Sequence, residues 1–318
     1  TIMRLGSRPL ALWISTAAAS SSIFVRPTSA KRAAFVSASS SFAQRRRNLS
    51  TNMGRVALCQ FPVSEDKNIN HKTATDYLNR AAEKGAQLAV LPEIWNGPYA
   101  TAAFEEYSEV LPNVGDTSAE KSPSAQLLME QAKKTGMWVV GGSVPESDDG
   151  KIYNTCLVIN PSGKVVAKHR KVHLFDIDVP GGITFFESDT LSPGETMTAF
   201  DAGEEFGMVG IGICYDIRFP EYALLLGKKY NCNILIYPGA FNLTTGPAHW
   251  ELLQRARAVD NQCYVMTAAP ARTPEPETPG KYPHYTAWGH STVVSPWGDI
   301  VATSDEKEAL VVVDLDMT

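Results

Sequence analysis

Apolar and polar positions alternate in blocks along the chain, and each block has the length of one secondary-structure element. Residues 55–61 form a short apolar run of the kind that builds a buried strand. Residues 68–84 follow with apolar positions at helical spacing, Gly85 ends that helix, and 87–93 is apolar again. This order predicts a β-α-β unit in a sheet that helices cover.

The rest of the chain continues the alternation and ends in strands. A Pro-Ser-Gly turn at 161–163 predicts a hairpin, and the Pro-rich segment 270–285 cannot pair in a sheet. The other predicted helices are 123–135, 219–229 and 247–261, and the other predicted strands are 137–144, 153–160, 164–175, 207–216, 233–242, 263–270, 289–304 and 309–316. Elements in this order predict an α/β protein with buried sheets covered by helices.

Composition argues against several classes of protein. The chain of 318 residues is 44% hydrophobic and 20% charged. It has no apolar run of about 18 residues, which predicts a globular protein without a membrane-spanning helix. Its five cysteines show no CxxC spacing, so we predict reduced thiols in an intracellular compartment rather than disulfides or a zinc ribbon.

The charge is spread unevenly. Residues 1–52 contain eight Lys or Arg and no Asp or Glu, although the whole chain has a net charge of −5. A segment that is rich in Arg and Ser and free of acidic residues is typical of an organellar transit peptide. We therefore predict a targeting segment at 1–52, for a mitochondrion or alternatively a plastid, and one domain at 53–318. A start at Met53 would give a cytoplasmic form. The acidic body argues against the other reading of the segment, an arm that binds nucleic acid.

Three residues that can carry chemistry lie at or beside predicted strand ends, where reactive groups of α/β sheets collect. They are Glu93, Lys171 and Cys214. Singly, each has an ordinary structural interpretation, as a cap, a surface lysine or a small core residue. The strand–turn–helix junction at Cys214 resembles a nucleophile elbow, in which the next backbone N–H, that of Tyr215, points toward a developing oxyanion.

A thiol nucleophile needs a base, and histidine is the usual one. The six histidines form no recognisable cysteine-protease signature, although a His-dependent peptidase stays an alternative. His169 and His173 make an HxxxH without the glutamate of a zinc protease, and the Gly-rich segments complete no nucleotide fingerprint. We therefore expect no metal and no cofactor.

Four motifs make the chain resemble the nitrilase superfamily of carbon–nitrogen hydrolases over about residues 55–315. They are "LAVLPEIWNGPY", "HRKVHLFDIDVPG", "GICYDIRFPE" and "GPAHWELLQRARAVDN". The segments 171–194 and 241–250 look closest to its omega-amidase branch, which hydrolyses the terminal amide of 2-oxo-dicarboxylic monoamides. The resemblance implies a four-layer α-β-β-α sandwich, a homodimer whose sheets continue across the interface, and a small carboxylated amide as substrate.

The resemblance also implies roles for residues. The Glu-Lys-Cys triad of the superfamily matches Glu93, Lys171 and Cys214, and a second glutamate of its site matches Glu187. Glu93 would be the base and Cys214 the nucleophile. Lys171 and the Tyr215 N–H would stabilise the oxyanion. Glu187 would orient the lysine or the substrate amide.

The distal carboxylate of such a substrate needs a cation. Arg218 is the candidate, because its planar guanidinium pairs with both carboxylate oxygens. The alternative for Arg218 is a structural ion pair with Asp216 or Glu221. The family's substrate-binding Phe and Thr match Phe241 and Thr245, with Thr244 an equally good alignment for the hydroxyl.

Other activities stay open at this point. A deaminated glutathione amidase, a nitrilase and a carbamoyl-amine hydrolase would keep the same triad. A scaffold that retains the fold without catalysis belongs to a different class, but the four matched side chains argue against it. Arg218 and residues 241–245 separate the enzymes, since a nitrile needs no carboxylate clamp.

Overall fold

Residues 53–181 and 183–318 are described by a computed structural model. The predicted transit peptide, residues 1–52, lies outside the described residues. The described helices are α1 (Lys67–Glu83), α2 (Phe104–Tyr107), α3 (Pro123–Thr135), α4 (Pro220–Lys229) and α5 (Gly246–Asn261).

In this part of the chain, seven strands form the first sheet, in the order β15-β1-β2-β3-β5-β4 with β6 paired to β5. The pairs β1–β2 and β2–β3 are parallel, as the predicted β-α-β unit requires. The strands are β1 (Met53–Gln60), β2 (Leu88–Val90), β3 (Trp138–Val140), β4 (Val144–Asp148), β5 (Lys151–Ile159), β6 (Val165–Arg170) and β15 (Ala309–Asp316).

Six strands form the second sheet, in the order β14-β13-β12-β11-β10-β9. Its central pairs, β10–β11 and β11–β12, are also parallel. The strands are β9 (Thr198–Asp201), β10 (Met208–Ile211), β11 (Ile234–Ile236), β12 (Tyr264–Thr267), β13 (Thr292–Val294) and β14 (Ile300–Thr303). A separate hairpin pairs β7 (Asp176–Asp178) with β8 (Thr184–Phe186).

Alternate residues of β1 show how the layers stack. Val56 and Leu58 lie in one hydrophobic core with residues of the second sheet such as Val209, whereas Ala57 and Cys59 lie in another core with α1 and α3. The two sheets therefore pack face to face, with helices outside each, because successive strand residues point to opposite faces. This confirms the predicted α-β-β-α sandwich. No helix of the described residues is both long and apolar enough to cross a bilayer.

Local signals in the sequence place the helix ends. The Asp66 side chain accepts from the backbone N–H of Asn68 at 2.8 Å at the start of α1. Ser122 caps α3 through the N–H of Ala125 at 3.1 Å, and Gly136 ends that helix with φ +71°. Because these caps are local, α3 begins and ends at the predicted residues.

Several predicted strands were too long. The segment 164–175 leaves the sheet after Arg170, and 207–216 leaves it after Ile211. The predicted strand 289–304 is two strands, since residues 295–299 turn between β13 and β14. The strands β7, β8 and β9 were missed, and so was β4 except for its first residue, Val144. The candidate site lies where the chain leaves the sheets: Lys171 follows Arg170, and Cys214 follows Ile211 by three residues.

Candidate active site

Glu93 lies three residues beyond the carboxyl end of β2, and its side chain is buried. Its Oε1 accepts hydrogen bonds from Lys171 Nζ at 3.0 Å and Asn154 Nδ2 at 2.9 Å. Its Oε2 accepts from the backbone N–H of Ala240 at 2.7 Å, beyond β11 of the other sheet. Three donors therefore hold the carboxylate in one orientation at the junction of the two sheets.

Lys171 follows the last residue of β6 and is fully buried. Its Nζ donates to Glu93 at 3.0 Å and to Glu187 at 2.9 Å. A buried ammonium needs such paired charges to offset the loss of water. Lys171 is thus fixed between two carboxylates. The alternative in the sequence analysis, a surface lysine, is excluded.

Glu187 opens a short 3₁₀ helix directly after β8. Besides Lys171, its carboxylate accepts from the Tyr99 hydroxyl at 2.6 Å and from the Phe175 N–H at 2.7 Å. Every bond orients the carboxylate toward the lysine. This arrangement suits the expected role of Glu187 in orienting Lys171.

Cys214 lies two residues after Gly212, in the turn between β10 and α4, and it is 4% exposed. Its φ is +44°, in the left-handed region that residues other than glycine rarely adopt. Its N–H donates to the Pro238 carbonyl at 2.8 Å, and a side chain at Gly239 would crowd its Cα at 3.3 Å. The strained turn matches the nucleophile elbow expected from the sequence.

The proton distribution follows from burial and neighbouring charges. Burial raises the pKa of Glu93 above its ordinary value of 4.5, although Lys171 opposes that shift. Burial and the Glu93 carboxylate raise the pKa of Cys214 well above 9.0. Burial opposes the charge of Lys171, but Glu187 and Glu93 together raise its pKa above 10.5. The high pKa values of Cys214 and Lys171 therefore favour a neutral thiol and a charged ammonium in the resting site.

The backbone N–H of Tyr215 lies in the first turn of the 3₁₀ helix Cys214–Arg218, where donors have no intrahelical partner. The Tyr215 ring packs against Phe175 and Phe219, with centroid distances of 5.3 and 5.8 Å. These contacts hold the peptide beside the thiol, as an oxyanion donor requires.

Arg218 lies at the end of the same 3₁₀ helix. Among the described residues, no carboxylate lies within ion-pair distance of it, and its buried Nε has no hydrogen-bond partner. Its Nη1 contacts His249 Nδ1 at 3.1 Å, and the Phe241 ring lies 5.0 Å away. The ion pair with Asp216 or Glu221 is not formed, so the guanidinium retains donors for a ligand.

Thr244 and Thr245, the two positions that can match the family's substrate-binding threonine, differ in burial. Thr245 is buried and its hydroxyl donates to Asn242 Oδ1 at 3.2 Å, whereas Thr244 is exposed. Phe241 is buried and packs edge-on against Trp250 at 5.0 Å. Both Phe241 and Thr245 therefore lie inside the protein, on the segment that leads from β11 to α5.

A cavity of about 350 Å³ opens beside Glu93. Its walls include Tyr99, Tyr285 and much of the Pro-rich segment 270–285. Glu65 holds that segment by accepting from the backbone N–H groups of Lys281 and Tyr282, at 3.2 and 3.0 Å. The segment that could not join a sheet thus forms one wall of the entrance to the site.

The structure brings together Glu93, Lys171, Glu187 and Cys214, and their catalytic roles stay predictions. Sequence reasoning missed Asn154 and Tyr99, which hold the two carboxylates. Asn154 is a buried polar residue in the apolar strand β5, and that exception was the available signal. Tyr99 ends the motif "LAVLPEIWNGPY", but the sequence analysis assigned it no role. No group of three or more His, Cys, Asp or Glu among the described residues could hold a metal ion.

Comparison with known proteins identifies the family of the chain. The model of the carbon–nitrogen hydrolase family matches residues 55–318. Omega-amidase NIT2 of Xenopus tropicalis is 51% identical over 263 residues, which are 83% of this chain and 88% of that protein. The Bos taurus omega-amidase NIT2 is 52% identical, with the same coverage of both chains.

Solved structures are similar as well. Nit3 of Saccharomyces cerevisiae, a member of branch 10 of the nitrilase superfamily, has 44% identity and a TM-score of 0.73, covering 83% of this chain and 90% of that one. A mutant amidase from Nesterenkonia sp. AN1 has 25% identity and a TM-score of 0.65, covering 82% and 93%. In that protein, acrylamide has added at the active-site cysteine.

Proposed function

Because this chain belongs to the carbon–nitrogen hydrolase family, we propose that Cys214, Glu93 and Lys171 hydrolyse the terminal amide of a 2-oxo-dicarboxylic monoamide. On this proposal the protein is an omega-amidase, like the relatives above, and hydrolyses linear amides other than peptide bonds. Its proposed substrates are 2-oxoglutaramate and 2-oxosuccinamate. One observation supports the residue roles most strongly. Lys171 Nζ lies between the carboxylates of Glu93 and Glu187, beside a thiol on a strained turn.

The first half of the reaction forms a thioester. Glu93 accepts the thiol proton as the sulfur of Cys214 attacks the amide carbon, which forms a C–S bond. Negative charge develops on the carbonyl oxygen, where Lys171 and the Tyr215 N–H stabilise it. The C–N bond then breaks, the leaving nitrogen takes the proton from Glu93, and ammonia departs.

The second half releases the acid. Glu93, ionised again, accepts a proton from water as the water oxygen attacks the thioester carbon. Lys171 and the Tyr215 N–H stabilise the second oxyanion. The C–S bond breaks, Cys214 recovers its proton from Glu93, and the 2-oxo acid leaves. No step consumes a cofactor.

Arg218 is the proposed anchor for the distal carboxylate. Its guanidinium is partly buried between the rings of Tyr215 and Phe241, and its Nε is unpartnered. A substrate carboxylate would supply the missing negative charge and accept two parallel hydrogen bonds. This contact would favour carboxylated amides over nitriles that lack the carboxylate.

The same proposal includes a homodimer. Leu252, Val259 and Trp297 expose apolar side chains along one groove beside α5, with Trp297 85% exposed. Exposed apolar residues that share a groove are typical of a subunit interface. A second copy of this chain is the proposed occupant. It would contact this face through α5 and not through the continuation of the sheets that the resemblance implied.

The composition of residues 1–52 supports mitochondrial import as a further part of the proposal. A fluorescent reporter fused to that segment tests it. Localisation of the reporter to plastids or to the cytoplasm would contradict the mitochondrial assignment.

Ammonia release by the purified protein is the central test. We expect turnover of 2-oxoglutaramate and 2-oxosuccinamate and none by Cys214→Ala, because the thioester cannot form without sulfur. Deaminated glutathione, glutamine and a simple nitrile are the comparison substrates. Turnover of only one of these would contradict the substrate assignment, and full activity of Cys214→Ala would contradict the mechanism.

An Arg218→Lys variant belongs in the same assay. Lysine keeps the charge but loses the planar pair of donors, so we expect KM for 2-oxoglutaramate to rise about tenfold with little change in kcat. An unchanged KM would exclude Arg218 as the anchor without affecting the assignment of the triad.

A further inference from the structure

We propose that Asp216, with His169 and His173, positions Cys214 relative to Lys171. Asp216 and His169 are buried and His173 is half-buried, and together they form a cluster beside the triad that the reaction steps do not use. The inference rests on the proposed thiol chemistry and identifies the groups that keep its two central residues in register.

The carboxylate of Asp216 closes the turn that carries the nucleophile. Asp216 is fully buried, and its Oδ2 accepts the backbone N–H of Ile213, the residue before Cys214, at 2.9 Å. Its own N–H donates to the Ile213 carbonyl at 3.0 Å. These two bonds bracket the residue whose φ of +44° costs conformational energy.

The same carboxylate reaches the segment that carries Lys171. Its Oδ1 accepts from the N–H of His173 at 2.9 Å and from His173 Nδ1 at 2.7 Å, and Oδ2 contacts His169 Nε2 at 3.2 Å. The two histidines lie two residues before and two residues after Lys171 in the chain. One side chain thus ties the turn after β10 to both flanks of the lysine.

Each histidine is held from its far side. The Nδ1 of His169 bonds to the Thr198 hydroxyl at 3.0 Å, and the ring of His173 stacks on Phe219 with centroids 3.6 Å apart. The cluster is therefore rigid. Because β6 and β10 belong to different sheets, the cluster fixes one sheet against the other beside the site.

A carboxylate is required at position 216, and an amide does not replace it. Each oxygen faces one backbone N–H, that of Ile213 or that of His173, so an amide NH₂ would meet a donor in either orientation. Burial opposes the charge, but hydrogen bonds from both histidines hold the pKa of Asp216 well below its ordinary value. Asp216→Asn therefore removes an acceptor that the turn needs.

The test compares three variants of the full chain. Asp216→Asn breaks the cluster at its centre, and His173→Phe removes the ring donor while it keeps the stack on Phe219. His71→Phe is the matched control, because His71 is also half-buried, bonds one side chain through its ring and lies beside an aromatic residue. His71 lies on α1, and its ring bonds Ser124 and no residue of the triad.

Two readouts are needed for each folded variant. For 2-oxoglutaramate, we expect kcat to fall about 100-fold in Asp216→Asn and about tenfold in His173→Phe, with KM nearly unchanged, since misplacement of a reacting group by about 1 Å has effects of this size. Alkylation of Cys214 by iodoacetamide, followed by mass spectrometry of its peptide, should slow in the same order. His71→Phe should match the parent in both.

Each contrary result has a defined meaning. The positioning role would be overturned if Asp216→Asn and His173→Phe kept the kcat of the parent. It would also be overturned if only KM rose, or if kcat fell only as much as the amount of folded protein. The alkylation readout needs no amide substrate. If the parent enzyme turned over none of the amides, the proposed function would fail, whereas slower alkylation in the variants would still support the inference.

Discussion

Individual side chains at the site are defined by what they bond and by how little water reaches them. Lys171 carries its charge in a fully buried position because Glu93 and Glu187 each lie within 3.0 Å of its Nζ. Removing either carboxylate would leave a buried cation with half of its compensation. The lysine and the two glutamates therefore form one electrostatic unit whose members cannot be changed independently.

The ionisation of Glu93 predicts how activity depends on pH in the acid range. In the proposed mechanism, Glu93 must be ionised to accept the thiol proton, and burial raises its pKa above 4.5. Activity should therefore fall as the pH drops through that raised pKa, so the acid limb of kcat/KM lies above pH 4.5. The measurement is kcat/KM for 2-oxoglutaramate across acidic and neutral pH.

Glu93→Gln checks the assignment of that limb. We expect kcat to fall by about 100-fold or more, the usual size of a lost general base, with no acid limb in the residual rate. An acid limb that persists in Glu93→Gln would assign the titration to another group. Thiol titration at neutral pH would also contradict the assignment, because the pKa of Cys214 is raised well above 9.0.

Helices and strands were predictable where their limits are set locally. The bounds of α3 match because Ser122, Pro123 and Gly136 act within one turn of the helix ends. The strands were less predictable, because apolar runs continue past the last paired residue. Residues 212–214 look like strand in the sequence, but contacts across the molecule, such as Cys214 N–H to Pro238, turn them out of the sheet.

The site residues also divide into those that the sequence predicted and those that depend on contacts between distant segments. Glu93, Lys171, Glu187 and Cys214 could be predicted because motifs in the sequence resemble a known family. Asn154, Tyr99 and the Ala240 N–H were not predicted, since they reach Glu93 or Glu187 from segments between 61 and 147 positions away in the chain. No local pattern records such a contact. The hairpin β7–β8 was missed for a similar reason, because its strands have only three residues each.

The end of α3 offers a test at the scale of the element. Gly136 has φ +71°, and a Cβ there would meet no other atom within 4 Å. Gly136→Ala should therefore destabilise the protein by about 1 kcal/mol through backbone strain alone. Urea unfolding measures this loss, and kcat should not change. Equal stability would show that the helix end relaxes.

At the scale of the whole molecule, the groove beside α5 predicts the oligomeric state. Leu252 is 63% exposed and Val259 is 52% exposed, so a charge at either position costs the isolated subunit little. In the proposed dimer, the same charge would be buried between two copies. Leu252→Glu with Val259→Glu should therefore shift the mass measured by light scattering from dimer to monomer.

Ile69→Glu is the matched control for this prediction. Ile69 is 55% exposed on α1, which covers the other sheet, so its charge should leave the dimer intact. A monomeric parent, or loss of the dimer in both variants, would contradict the assignment of the interface.

The hydrogen bond from the Ala240 N–H to Glu93 Oε2 joins the ends of β2 and β11, which belong to different sheets. The proposed base is thus supplied by one half of the sandwich and aligned by the other, and the proposed nucleophile comes from the second half. Turnover therefore reports how the two sheets sit against each other, which circular dichroism does not detect. On gradual heating, the enzyme would lose its catalytic competence by a small slip between layers, while each layer still kept its strands and helices.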